Sequence, residues 1–425
     1  MENRLETRLT FPTRRRALPL NGAASLAPRR ASHEAFMAAA LALARKGAGW
    51  TSPNPAVGAV VVRQGRVVGA GYHRRAGAAH AEVEALRQAG RRARGSTVYV
   101  TLEPCNHAGR TPPCCEAILA AGVRRVVAAM RDPNPITNGR GLARLRRAGI
   151  EVITGVLEAE AHRLNEPFHK AMTSTLPFVI AKIGQSLDGK IATTTGASRW
   201  ITSPASRRAA HRWRARVDAI LIGATTARRD DPALTVRGVR HRPGRPVKVI
   251  VDTHLRLPLG ARCVSAASPA KTIIATAVRQ GAKRAALLAR GVEVLSLPAR
   301  RGRVPLRPLL RRLLRADIQS VLLEGGGELL ASALAERLVD RIVFVVAPLL
   351  IGGRTTPTSV GGPGIAALRD AVRLTDVVIT PLGPDWCLEA RVVYPKTGAR
   401  GTGHGAGVRT NTQSHAPRPT PHTPR

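Results

Sequence analysis

Aromatic residues are scarce. Phe, Trp and Tyr make up 3% of the 425 residues, too few for the stacking platforms on which single-strand nucleic-acid binders seat their bases. Long apolar runs are missing too. The longest candidate, IVFVVAPLLIGG from Ile342, is broken by Pro348 and falls short of the roughly 18–20 residues of a membrane span. The first 32 residues hold no secretory apolar core, so a soluble, cytoplasmic protein is expected. Cysteine is sparse: five residues in a chain this long exclude a disulfide framework. Cys263 and Cys387 stand alone and read as small buried residues, whereas Cys105, Cys114 and Cys115 cluster, a pattern that suits a reducing compartment and a metal. Acidic residues are the last shortage, with 27 Asp and Glu against 67 Lys and Arg and a formal net charge of +40. Such a balance invites nucleic acid, membrane surfaces or phosphorylated substrates. Here the excess is mostly Arg, scattered among abundant Ala and Gly as GC-rich codon usage would leave it, and nucleic-acid binding is not expected to be the principal function.

What is present suffices for two ordinary domains, since 44% of the residues are hydrophobic. Residues 1–32, with seven Arg against two Glu, read as a disordered basic arm. Residues 396–425, with four Arg, one Lys and no acid, read as a disordered basic tail. Between them, SHEAFMAAALALARKG has a helical apolar period with Ser32 as its cap. AVGAVVVRQGRVVGAGYH reads as a hairpin turning at Gln64 and Gly65. STVYVTLEPC reads as a strand running into a helix start, RRVVAAM as a strand, and GLARLRRAGIEVITG as helix then strand. This alternation predicts a layered α/β domain over 33–165 with a mostly parallel sheet. Residues 166–177 read as a crossover. From Phe178 a second alternation begins (FVIAKIG, DAILIGA, VKVIVD, TIIATA, SVLLEGG, RIVFVVAP), predicting a second α/β domain over 178–395.

The stretch from His80 to Cys115 carries the chemistry. Catalytic zinc takes three protein ligands and keeps one position open. His80, Cys105 and one of Cys114 and Cys115 supply such a set, with Glu82 two residues after His80 at a helix start, where a carboxylate can move protons without binding metal. Pro104–Cys105 at a helix N-terminus would help to hold a thiolate. Taken singly, each of these residues is more often an ordinary polar or buried side chain; taken together after a strand, they point to a zinc deaminase. Eight residues, NHAGRTPP, separate Cys105 from Cys114, where the common deaminase spacing is two.

TSPNPAVGAVVV, GYHRRAGAAHAEVEAL and TLEPCNHAGRTPPCCEAILAAGVRRVV together resemble the deaminase half of the bifunctional riboflavin-biosynthesis deaminase–reductases. The resemblance implies a cytidine-deaminase-like three-layer α/β/α domain with His80, Cys105 and Cys114 on zinc, Glu82 as the proton carrier, and Asn54 and His73 near the pyrimidine. It makes Cys115 a neighbour of the site. Asn106 and Glu84 stand where family members often have Ser and His. AKIGQSLDGKIATTTGASRWITSPASRR, DAILIGATTARRDDPALTVR and LLEGGGELLASAL resemble the family's reductase half, which implies a dihydrofolate-reductase-like fold and NADPH. Carried over by position, the cofactor contacts are the backbone at Gln185 with Trp200, Thr226, Asp230, Thr253, Gly326 and Gly327. The substrate set is Ser198, Arg214, Leu234, Arg237 and Glu324. Arg214 and Arg237 have the planar fork that suits a substrate phosphate, and the glycines after LLE could hold an anion on backbone N–H groups. No residue is singled out as the acid of the reduction. A homodimer is a further implication, as is a small phosphorylated pyrimidine as substrate.

Two other readings compete. One is a tRNA or nucleic-acid deaminase with a basic C-terminal domain, against which the wide cysteine gap and the second half both speak. The other is a non-catalytic RNA-binding protein stabilised by zinc, which would need a fourth ligand such as Cys115 or His107.

Overall fold

The computed structural model describes residues 27–107, 112–265 and 270–395. Of the arm expected over 1–32, residues 1–26 lie outside the described residues, as does the tail over 396–425, while residues 27–32 belong to a helix. Helix α1 (Ala27–Ala44) begins before Ser32, so that serine lies within the helix and is not its cap.

The first sheet has five strands, β1 (Gly58–Arg63), β2 (Arg66–Tyr72), β3 (Thr97–Val100), β4 (Arg125–Ala128) and β5 (Glu151–Thr154), in the order β2-β1-β3-β4-β5. It is mixed, not mostly parallel: β1 runs antiparallel to both β2 and β3, while β3, β4 and β5 are parallel. The hairpin legible in the sequence already demanded one antiparallel pair, because Gln64 and Gly65 both take left-handed backbone, at φ 48° and 73°, the geometry of a two-residue turn.

Between and after the strands come α2 (Ala81–Ala89), α3 (Cys114–Ala120), α4 (Arg140–Arg147), α5 (Glu158–Leu164) and α6 (Glu166–Thr173). Two glycines set how closely α1 and α2 approach the sheet. A side chain on Gly58 would begin 2.1 Å from the Ala40 carbonyl of α1, and one on Gly71 would begin 2.5 Å from the Ala81 carbonyl of α2. Gly58 pairs with Tyr72, and Gly71 with Ala59, so the two glycines point to opposite faces and the helices sandwich the sheet. Met37, Leu41, Val60, Leu86, Val98, Ile118, Val126 and Leu142 fill the layers between.

The second sheet has nine strands: β6 (Phe178–Ser186), β7 (Ala219–Gly223), β8 (Val247–Val251), β9 (Thr272–Thr276), β10 (Glu293–Ser296), β11 (Ser320–Glu324), β12 (Arg341–Ala347), β13 (Arg373–Leu382) and β14 (Asp385–Val393). Their order is β10-β9-β8-β7-β11-β6-β12-β14-β13. It is parallel from β10 to β12 and closes with an antiparallel hairpin, β14 against β12 and β13 against β14. Helices α7 (Pro204–Arg214), α8 (Ala224–Asp230), α9 (Ala282–Ala289), α10 (Leu306–Arg315) and α11 (Gly327–Ala335) accompany it. From α10, Leu309, Leu310 and Leu313 pack against Val179, Val249, Val321 and Ile342.

The segment read as a crossover begins as α6, which works as a strut. Phe168 is buried with the first core, while Glu166 accepts both arms of the Arg341 guanidinium at 2.6 and 3.0 Å. Lys170 donates to Asp340 at 2.5 Å.

Candidate active site

Close packing of α2 on β2 places the deaminase residues. His80 caps α2 from extended backbone, and Glu82 follows in its first turn with 3% of its surface exposed. Cys105 lies in the loop after β3, and the helix expected to begin there begins at Cys114 as α3. The eight-residue insertion thus separates the two thiols in sequence and returns the second on a helix N-terminus. The backbone N–H of Cys114 donates to Cys105 Sγ at 3.3 Å, so Cys105 receives the first amide of a helix to which it does not belong.

His80 Nδ1 stands 3.1 Å from Cys114 Sγ and 3.6 Å from Cys105 Sγ, and the three donor atoms lie within 4.8 Å of one another. A tetrahedral zinc with bonds of about 2.0 Å to nitrogen and about 2.3 Å to sulfur holds those two atoms about 3.5 Å apart, so the donors fit the ion in kind and in spacing. The hydrogen bond from Cys114 and the neighbouring His80 draw Cys105 down to about 4, while Cys114 moves up. Burial pushes the Glu82 carboxyl up to about 7, with His80 pulling the other way.

Neither proposed fourth ligand joins the cluster. Cys115 donates to the carbonyls of Pro104 and Gly141 at 3.5 and 3.6 Å, and burial pushes its thiol up to about 12. His107 is paired with Thr137 at 3.4 Å. Among the described residues the cluster has three ligands, the open arrangement of a catalytic site rather than the closed one of a structural site.

His73 and Asn54 stand beside it as one unit. His73 Nδ1 contacts the Ala79 carbonyl at 3.1 Å, and a carbonyl only accepts, so the proton is on Nδ1 and Nε2 is bare. Asn54 Nδ2 therefore donates to Nε2 across 3.1 Å, which leaves the Asn54 carbonyl oxygen for a ligand. Burial lowers the His73 pKa. Asn106 has its Oδ1 buried without a partner, whereas Glu84 is engaged by Arg87 at 3.1 Å.

Two supporting residues escaped the sequence reading. Glu103, two residues before the first cysteine ligand, accepts from the backbone N–H groups of Asp132, Gly139, Gly141 and Leu142 at 2.8–3.2 Å. The signal was an acid in an otherwise apolar strand end, TLEPC. Asn165 exchanges two hydrogen bonds with the backbone of Ala56, at 2.8 and 3.0 Å, and nothing local in the sequence distinguishes it.

In the second half the expected residues gather where the parallel strands end, the edge at which open α/β sheets bind ligands. Gln185 is the last-but-one residue of β6 and has its Oε1 buried without a partner. Thr226, after β7, has its hydroxyl 3.3 Å from where a Gly325 side chain would begin, so it faces the glycine turn, of which Gly326 caps α11 and Gly327 opens it. Thr253, after β8, accepts from Val304 N–H at 3.2 Å. Asp230 ends α8, and its carbonyl accepts from Arg199. Trp200 is 67% exposed under the Arg207 guanidinium, 4.4 Å from the ring centre. Ser198 is half-buried and Arg237 exposed; Leu234 is buried, in left-handed backbone.

Arg214 departs from expectation. Its fork is occupied by Glu324, at 2.8 and 2.5 Å, with a third bond to the Thr235 carbonyl at 3.2 Å. Both side chains are mostly buried, at 16% and 14% exposure, and a buried charge must be paired. Beside the pair lies Lys182, also unremarked in the sequence. It sits opposite Glu324 on the neighbouring strand, and burial lowers its pKa while Glu324 raises it. A single cation inside FVIAKIG was the available signal.

Comparison with known proteins agrees with both halves. Residues 30–130 match the family model for the cytidine and deoxycytidylate deaminase zinc-binding region, and residues 177–388 match the RibD C-terminal domain. Riboflavin biosynthesis protein RibD of Aquifex aeolicus is 45% identical over 350 residues, which is 82% of this chain and 96% of that one. RibD of Escherichia coli is 42% identical over 366 residues, 84% and 98% of the two chains. Among solved structures, RibD of Acinetobacter baumannii superposes with a TM-score of 0.78 at 37% identity, over 86% of this chain and 99% of that one. The Thermotoga maritima diaminohydroxyphosphoribosylaminopyrimidine deaminase/5-amino-6-(5-phosphoribosylamino)uracil reductase gives 0.75 at 35% identity, over 86% and 100%. Relatives this similar span both sheets, and the chain belongs to the RibD family of riboflavin biosynthesis proteins.

Proposed function

We propose that the chain catalyses two consecutive steps of riboflavin biosynthesis. Its first half deaminates 2,5-diamino-6-(5-phosphoribosylamino)pyrimidin-4-one to the uracil, and its second reduces the ribosyl group to ribityl. The observation that carries this reading is the three-donor cluster of His80, Cys105 and Cys114 with a buried carboxyl beside it. Those three residues would hold zinc, which supplies the Lewis acidity that makes water a nucleophile near neutral pH. Glu82 takes one proton of the attacking water and delivers it to the ring nitrogen, then passes the second, from the hydroxyl now on the ring carbon, to the amine that leaves as ammonia. Asn54 and His73 orient the pyrimidine through the free carbonyl oxygen of Asn54.

In the second half NADPH, when bound, would supply the hydride chemistry for reducing the sugar C1. The backbone at Gln185, with Trp200, Thr226, Asp230, Thr253, Gly326 and Gly327, would hold the cofactor. Ser198, Arg214, Leu234, Arg237 and Glu324 would hold the substrate. With the Arg214 fork taken by Glu324, the exposed Arg237 is the better placed of the two arginines to meet the phosphate. The proposed division into 33–165 and 178–395, joined through 166–177, is supported by the presence of two separate sheets.

A homodimer formed by the second half is part of the proposal. It is supported by β13, an edge strand whose Val377, Val378 and Ile379 are 50%, 54% and 62% exposed, an apolar edge that a monomer would leave open. Light scattering should give twice the 45.2 kDa of one chain; a monomer would remove that element. No helix among the described residues is long and apolar enough to cross a membrane, and we place the chain in the cytoplasm.

The deciding experiment supplies the zinc-loaded protein with the diaminopyrimidine ribosyl phosphate and follows ammonia and NADPH separately. Ammonia release followed by NADPH oxidation is expected. Ammonia alone would defeat the reductase assignment, and neither signal from folded protein would defeat the substrate.

A further inference from the structure

The turn that carries Asn54 is held by both halves of the molecule. Within the turn, Trp50 and Thr51 N–H groups donate to the Gly47 carbonyl at 2.9 and 3.2 Å, and Asn54 N–H donates to the Thr51 carbonyl at 2.9 Å. In its own half it packs on the His73 backbone, where a side chain on Gly47 would begin 2.5 Å from the carbonyl; its other contacts come from the second half. A side chain on Gly49 would begin 2.7 Å from the Ala215 carbonyl just after α7. The Arg240 guanidinium stands 5.8 Å from the centre of the Trp50 ring. Arg242 Nη1 donates to the Ser52 carbonyl at 2.6 Å, a short bond of the charge-assisted kind. Two residues beyond Ser52, the Asn54 side chain meets His73, and one ring further stands His80, 5.3 Å from His73 between ring centres.

We propose that Arg242, a residue of the reductase half, is a positioning residue of the deaminase site: by fixing the Ser52 carbonyl it sets the Asn54–His73 pair that orients the pyrimidine. It touches neither the zinc ligands nor Glu82, so its loss should weaken substrate placement without altering the proton carrier. The same segment passes the other site a few residues earlier, where Leu234 is buried, the Thr235 carbonyl receives Arg214, and the Arg237 N–H donates to His211 at 3.2 Å. One strand of loop therefore bears on both sites. The inference rests on the deaminase reading of the first half.

The test uses the full zinc-loaded chain and Arg242→Met, which keeps the aliphatic stem and removes the donor. Deaminase KM should rise about tenfold with kcat within about twofold, the signature of lost ground-state binding, while NADPH oxidation on the deaminated uracil substrate stays unchanged. Arg242→Lys, which can still donate to a carbonyl, should recover most of the KM. In an Asn54→Ala background Arg242→Met should cost nothing further, because residues acting through one contact are not additive. An unchanged KM, or a full loss on top of Asn54→Ala, would overturn the inference. Amide hydrogen exchange supplies a readout free of catalysis: the Asn54 N–H should exchange about tenfold faster in Arg242→Met and at the native rate in Arg242→Lys. Equal rates in all three proteins would overturn the inference too. A native chain that releases no ammonia would defeat the deaminase reading instead, leaving the exchange rates to decide whether Arg242 holds the turn.

Discussion

The two halves build their sites in opposite ways. In the first, three donor atoms and a carboxyl come within a few ångströms of each other from two helix starts and one loop. In the second, the residues are strung along the ends of at least four strands, where the Arg214–Glu324–Lys182 group brings buried charges together. Coordination chemistry explains the difference. A small cation demands particular side-chain atoms at fixed distances. A dinucleotide is held over a long surface, much of it by backbone. The first site should therefore fail abruptly when one atom is changed, and the second by degrees.

The sharpest break should come from Glu82→Gln. Loss of a proton carrier costs about 10²–10⁴-fold, so ammonia release should nearly vanish while NADPH oxidation on the deaminated substrate persists; equal losses in both assays would mean that the halves are not separable. Chelation of zinc should have the same one-sided effect and be reversed by adding zinc back. An intermediate effect is expected at Arg214→Met, which strands the Glu324 carboxylate and should lower unfolding stability by about 3 kcal/mol in denaturant titration, with a raised KM for reduction. A change below about 0.5 kcal/mol would show Lys182 to be a sufficient partner alone. The smallest effect should be Gly71→Ala: the new methyl meets the Ala81 carbonyl and must push α2 outward, at about 1–3 kcal/mol. Because α2 carries His80 and Glu82, zinc affinity should fall with it, whereas reduction should be untouched.

The same contrast governs what could be read from the sequence. The zinc ligands were legible because His-x-Glu and Pro-Cys mean little except as a set. Strands β6, β7, β8, β9, β11 and β12 were legible as short, largely apolar runs with most positions buried. The β13–β14 hairpin was not, because β13 lies on the edge of the sheet, is exposed over most of its length and contains Pro381, so no buried period marks it. The start of α3 was misplaced for a different reason. Pro104–Cys105 looks like a helix entry, but the eight-residue insertion moves that entry to Pro113–Cys114, and a loop of this length has no local signature. Glu103 and Lys182 were hidden because their importance lies in partners distant in sequence: the amides of 132–142 for one, Glu324 for the other.

Glu103 has one more consequence, for the order in which the molecule is made. A ribosome delivers His80, Cys105 and Cys114 first and the amides of Gly139, Gly141 and Leu142 only later. Until then the acid beside Cys105 has only water to accept from, and the loop lacks its clasp. The nascent chain thus owns every zinc ligand before it owns the clasp that steadies one of them, and firm metal loading must wait for the segment downstream.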